Sequence, residues 1–295
     1  MKRGIVLLHG DFSKQAVDCL IEQKPDVVSI HLNPFQGSVD DFACFIDENE
    51  DLIKQLVKAG ITVDYRLHVV NSFLPGLTKN NEELFRMNEK GERVNDFNIC
   101  PSSDEALKII EDGAEKLARR LKQASHRYHF WTDDDMGADT RCHCEKCKDK
   151  SFEEQNLLIY QAMLNGIKKY DEKATLSYLV YGNESIDNRP IDGLFIEFAP
   201  FLRRHDLPIT AAENQNIKKT YENILALCGS DSVEALEYFL SFDYYGFCEN
   251  GERVSADYEY YKSTNPSLLT TFLVYNKQRD LTVNPLYGIK KYFSL

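Results

Sequence analysis

The chain is predicted to adopt an α/β fold, a single (β/α)8 barrel, from three observations. Apolar, β-rich runs recur eight times, and helix-period segments lie between most of them. The length of 295 residues suits a barrel whose usual size is about 250 residues. No repeat, low-complexity tract or Pro/Gly-rich linker divides the chain, so residues 1–295 read as one domain. At 43% hydrophobic content such a chain can fill a large core.

The elements follow in order. Run 4–9 (GIVLLH) leads into SKQAVDCLIEQK, and run 27–32 (VVSIHL) precedes FIDENEDLIKQLVKAG, closed by Gly60. Run 62–70 (TVDYRLHVV) and run 127–134 (RYHFWTDD) precede the helical segments DEALKIIEDGAEKLARRLKQ and FEEQNLLIYQAMLNGIKKY. Runs 174–181 (ATLSYLVY) and 193–199 (GLFIEFA) come before NIKKTYENILALCG. Runs 234–244 (EALEYFLSFDY) and 267–275 (SLLTTFLVY) come before NPLYGIKKYF. An open doubly wound sheet is disfavoured, because no Gly-x-Gly-x-x-Gly follows the first run and no Walker motif occurs. Long loops follow strands 3, 4 and 6 (71–103, 135–151 and FLRRHDLPITAAENQ), at the strand ends where barrel enzymes build their sites.

Charge narrows the partners. A net charge of −12 repels nucleic acid and anionic membranes, which leaves a neutral or weakly charged substrate. No apolar run approaches the ~20 residues of a spanning helix, and MKRGIVLLHGDF passes from strand to turn without a small-residue cleavage site. The expected location is cytoplasmic. Nothing in the sequence sets the oligomeric state.

Polar residues near strand ends point to the cleft, since alternate strand residues face the same way. The candidates are His9, His31 with Asn33, His68 with Asn71, the run Asp133, Asp134, Asp135, Tyr181, Glu197, Asp243 with Tyr244, and Tyr275. A ring of polar tips and tyrosines suits a sugar, whose C–H faces stack while its hydroxyls need hydrogen bonds. Single histidines at strand ends are more often structural, and Glu197 or Glu237 could simply pair with a barrel arginine such as Arg66. The acid run is harder to explain by packing: adjacent carboxylates repel, which can raise one pKa and let an acid and a base coexist. The plain alternative is a solvated turn.

Eight cysteines in a chain of this size do not make a disulfide scaffold. Cys19, Cys44 and Cys228 occupy apolar positions of helical patterns and read as small buried hydrophobes. Cys142, Cys144 and Cys147 are different, since C-x-C plus C-x2-C is compact enough for three thiolates to meet one soft metal. His143 lies between two of them and fits poorly, so the fourth ligand of a structural zinc would be Cys100, an acid or a histidine from elsewhere. Free thiols or an oxidised pair are the alternative.

The series NICPSSDEALKIIEDGAEKLARRL, the acid-ended strand, CHCEKCKDKSFEEQNLLIYQAMLNGIKKY and ATLSYLVYGN resembles the carbohydrate-associated domain of unknown function 4838, over roughly residues 95 to 245. That family sits among glycosidase TIM barrels near the family-20 hexosaminidases and the family-163 endo-β-N-acetylglucosaminidases. The resemblance implies a glycoside hydrolase for a small, N-acetylated glycan. Asp133 would orient the substrate's 2-acetamido group and Asp134 would be the general acid/base, where family-20 enzymes carry Asp-Glu. His68, Asn71, Tyr181, Glu197, Tyr244 and Tyr275 are the residues expected to line the sugar pocket. An alternative carboxylate pair is Asp134 with Glu197. Two other functions are considered: a non-catalytic carbohydrate-binding barrel with a structural metal site, and a metal-dependent hydrolase using the thiols or histidines.

Overall fold

In the computed structural model the eight strands pair in parallel, each with its neighbour in sequence, and the sheet closes between the first and the last. The strands are β1 (Lys2–Leu8), β2 (Val27–His31), β3 (Thr62–His68), β4 (Arg127–Trp131), β5 (Thr175–Val180), β6 (Leu194–Phe198), β7 (Val233–Ser241) and β8 (Leu268–Val274). The helices are α1 (Lys14–Gln23), α2 (Val39–Glu48), α3 (Glu50–Lys58), α4 (Val70–Phe73), α5 (Asp104–Leu121), α6 (Phe152–Lys168), α7 (Gln215–Cys228), α8 (Gly251–Thr264) and α9 (Pro285–Phe293). The structure describes residues 1–32, 37–96, 98–133, 139–182, 186, 191–241, 251–274 and 285–295. The (β/α)8 barrel read from the sequence is therefore the observed fold. Among the described residues no helix is long and apolar enough to cross a membrane.

The two helices that follow the longest loops are fixed at their starts by side-chain caps. Ser103 accepts the Ala106 N–H at the head of α5. Ser151 and Glu154 form a reciprocal capping box at the head of α6. These caps set where each loop must end. The helices then pack so closely that a Cβ on Gly166 would sit 2.0 Å from the Glu111 carbonyl oxygen, so glycine is required there.

Two elements differ from the sequence pattern. The segment 45–60 reads as the body of one helix, but the chain breaks at Asn49 into α2 and α3, and the Asn49 side-chain amide donates back to the Phe45 carbonyl at 2.9 Å. Helix α8 has no apolar stripe that would reveal it. Its buried face carries Arg253, Val254, Asp257 and Tyr261, so polar residues hide the helical period. Arg203, from the loop after β6, pairs there with Asp257 at 2.7 Å and with Glu237 at 3.2 Å. A register shift in β7 at Glu237/Leu240 accompanies this contact.

The aliphatic core lies between strands and helices, as the buried Ile5, Leu7, Val28, Ile30, Leu67 and Ile110 illustrate. The lower barrel interior is charged instead. Asp64 and Arg66 of β3, Arg127 and His129 of β4, Glu197 of β6 and Glu234 of β7 meet there. Arg127 also lies 3.7 Å over the Phe195 ring.

Candidate active site

The barrel mouth has an aromatic floor built by five strands and by the segments that follow β5 and β6. His31 ends β2, His68 ends β3 and Trp131 ends β4; their rings lie 5.6 Å (His31–Trp131), 5.1 Å (His68–Trp131) and 6.2 Å (His31–His68) apart. Phe272 of β8 meets His31 edge-on at 5.1 Å and stacks on Tyr238 of β7 at 6.1 Å. Phe201 beyond β6 closes the arc, 5.2 Å from Tyr238 and 6.3 Å from Tyr181. Trp131 is 2% exposed and donates its indole N–H to the Ser177 hydroxyl at 2.8 Å, which fixes the ring. Burial, followed by the charge of neighbouring His68, holds His31 down to about 3, so it is neutral at physiological pH. His68 donates its Nδ1–H to the Thr132 carbonyl at 2.7 Å.

Asp133 stands two residues beyond the end of β4, at the C-terminal mouth, where Asn98 and Asn71 hold it. The Asn98 side-chain amide brackets its main chain, accepting the Asp133 N–H at 3.1 Å and donating to the Asp133 carbonyl at 2.9 Å. Its own carboxylate accepts the Asn71 backbone N–H at 2.5 Å, in the first turn of α4. The loop after β3 thus grips the end of β4 from two directions. Asp134, Asp135, Asn33, Asp243, Tyr244 and Tyr275 lie outside the described residues.

The remaining expected site residues divide. His68 and Tyr181 lie at the mouth, both half-buried. Asn71 is exposed beside Asp133 and contributes its backbone N–H. His9 sits off the floor, edge-on to Phe45 at 5.4 Å, where burial lowers its pKa. Glu197 requires a correction as a pocket-lining residue. It is 0% exposed, Oε1 pairs with Arg66, and Oε2 accepts from His129 Nδ1 at 2.9 Å. Both oxygens are engaged in the charged interior.

The four thiols expected to share a metal do converge. Cys100, Cys142, Cys144 and Cys147 are all buried, and their sulfurs lie within 4.8 Å of one another. The Cys142 hydrogen bond draws the Cys100 thiol down to about 4, and Cys142 is pushed up in return. Cys19 is buried as expected, whereas Cys44 is exposed and Cys228 only half-buried. The buried face of α2 is Phe42, Ala43 and Ile46, which turns Cys44 outward.

Comparison with known proteins places the fold. The chain is similar to a β-N-acetylhexosaminidase from Bacteroides fragilis NCTC 9343, at 13% identity and TM-score 0.57, over 92% of this chain and 61% of that one. The chain thus spans less than two thirds of that enzyme's length. It is similar to the PgaB (BpsB) glycoside hydrolase domain from Bordetella bronchiseptica, at 12% identity and TM-score 0.59, over 100% and 99% of the two chains. A GH5 family lichenase from Caldicellulosiruptor sp. F32 matches at 10% identity and TM-score 0.59, over 98% and 91%. No family model matches the chain, and no curated protein matches it. At such identities these likenesses define a class of fold, the TIM barrel found in glycoside hydrolases.

The sequence pattern did not single out Asn98, Trp131, Phe201, Tyr238 or Phe272. Four are aromatics inside or just beyond apolar runs, where a floor residue and a core residue look alike. Asn98 had one available signal, a polar side chain two residues before Cys100 in a loop whose cysteine was already a ligand candidate.

Proposed function

We propose that the chain is a glycoside hydrolase acting on a small N-acetylated glycan, with Asp133 orienting the acetamido group and Asp134 serving as general acid/base. The observation that carries this reading is the grip of Asn98 and Asn71 on Asp133 at the mouth of the barrel. A carboxylate that must orient a neutral amide needs its geometry set in advance, and backbone anchoring supplies that. The withdrawal of Glu197 into the charged interior also favours substrate assistance over a two-carboxylate displacement using that residue. The aromatic floor offers apolar faces for sugar C–H groups. Similarity to a β-N-acetylhexosaminidase fits the acetylated substrate.

The test is turnover on paired aryl glycosides, acetylated and plain. Asp134→Asn is expected to cut hydrolysis of the aryl N-acetylglycoside by at least ~10²-fold while binding survives. Asp133→Asn keeps an oxygen for the Asn71 N–H but loses the charge. It should therefore impair acetylated substrates and spare simple glucosides. Wild-type protein that binds a glycan by calorimetry but hydrolyses nothing would move the chain to the carbohydrate-binding class, and one that does neither would end both readings.

A further inference from the structure

We propose that Cys100, Cys142, Cys144 and Cys147 bind one zinc ion, and that this ion locks the loop after β3 to the loop after β4, which together carry Asn98 and Asp133. The geometry is that of a closed four-thiolate site. The Cys100 sulfur lies 3.7 Å from that of Cys144 and 3.9 Å from that of Cys147. Two thiolates about 2.3 Å from a shared tetrahedral centre stand about 3.8 Å apart, whereas a disulfide brings sulfurs to about 2.05 Å. Mutual approach of all four within 4.8 Å leaves room for a single ion and not for a multi-iron cluster, whose outer thiolates are spread over two or more metals.

The surroundings are built to the same end. A zinc ion with four thiolates carries a net charge of −2, which needs donors aimed at sulfur. Cys142 receives the Met87 backbone N–H at 3.3 Å and an Arg93 guanidinium N–H at 3.8 Å; the Ser102 hydroxyl lies 3.0 Å from the Cys147 sulfur. The turn itself is held from α6. Gln155 accepts the Cys142 N–H at 2.8 Å and donates to the Cys142 and Cys147 carbonyls, both at 3.1 Å. A tight turn from Cys144 to Cys147, with N–H to carbonyl at 2.8 Å, presents both sulfurs to one side.

The four ligands come from two segments. Cys100 ends the loop after β3, two residues beyond Asn98, and the other three belong to the loop after β4. On binding Zn2+ all four ligands are held as thiolates and whatever protons they still carry pass to solvent, so the ion adds free energy to the contact between the loops. This proposal stands apart from the hydrolase reading, because its readouts are metal content and loop protection.

The full chain purified without chelator should contain one zinc per polypeptide by elemental analysis. Cys142→Ser and Cys147→Ser should lose it, and Cys44→Ser should keep it. Should the serine variants fail to fold, wild-type protein stripped by chelator and reloaded with Co2+ should gain thiolate-to-cobalt charge-transfer bands and tetrahedral visible bands. Hydrogen exchange over 82–103 and 139–150 should slow on reloading zinc. Absence of bound metal, iron in place of zinc, or a disulfide among the four in mass spectrometry of freshly purified protein would each overturn the assignment.

Discussion

The lower interior of the barrel and its mouth both gather titratable side chains, yet they do opposite things with them. Below, Asp64, Glu197 and Glu234 face Arg66, Arg127 and His129, with Arg66 and Glu197 sealed from solvent. Above, Asp133 is half-buried and held by backbone and amide contacts. A carboxylate paired with buried cations has its charge neutralised and its lone pairs occupied. The Asp133 carboxylate is met instead by a neutral backbone N–H. In a barrel, then, proximity to the axis does not decide whether an acid is neutralised; its partners do.

Breaking the lower cluster should have the largest effect. Arg66→Met leaves Glu197, Asp64 and Glu234 buried without their central cation, and removing one partner of such a network costs about 3–5 kcal/mol. Denaturant unfolding followed by circular dichroism measures this directly. A loss below about 1 kcal/mol would mean that Arg127 and His129 suffice, and that the lower cluster is looser than its burial implies.

Sharpening the contrast at the mouth needs a smaller cut. Asn98 is buried, and Asn98→Ala strips both the acceptor of the Asp133 N–H and the donor to the Asp133 carbonyl. Leaving such groups unpaired costs about 1–3 kcal/mol in stability. On the proposed hydrolase reading, turnover should fall further than stability predicts, because Asp133 loses its bearing. Asn98→Asp restores only the acceptor and should recover part of the loss. Equal losses of stability and activity in both variants would reduce Asn98 to a loop brace.

How much of this was legible in the sequence depends on the range over which each feature is encoded. Strand–helix alternation is local, so the eight strands and the loops after strands 3, 4 and 6 emerge from periodicity alone. Cys142, Cys144 and Cys147 are local too, and Cys100 was among the candidates for the fourth position. The lower charged cluster depends on register: Arg66 sits opposite His129 across β3–β4, while Glu197 sits opposite Glu234 across β6–β7. Periodicity places each on a face but not at a height, so Glu197 read equally well as a pocket residue or an ion-pair partner. Helix α8 was hidden for a related reason: its inward residues Arg253 and Asp257 are charged, and only Arg203 and Glu237, distant in sequence, make that arrangement sensible.

The smallest effect at neutral pH, and the finest division between the two regions, comes from His31. It lies in the floor with Trp131, His68 and Phe272 around it, and burial with the nearby His68 charge lowers its pKa from 6.5 to about 3. The unfolded chain takes up the proton near 6.5, while the folded chain resists it to about 3. Stability from this residue is therefore complete above pH 6.5 and is lost as pH falls toward 3, by at most about 1.4 kcal/mol per pH unit. His31→Phe removes the titrating group but keeps an aromatic in the floor. The stability difference between wild type and variant should stay level above pH 6.5 and then move against the wild type in acid, as read from urea unfolding at stepped pH. Parallel curves down to pH 4 would mean that His31 protonates in place, and that the floor of the mouth admits charge as readily as the ionic interior beneath it.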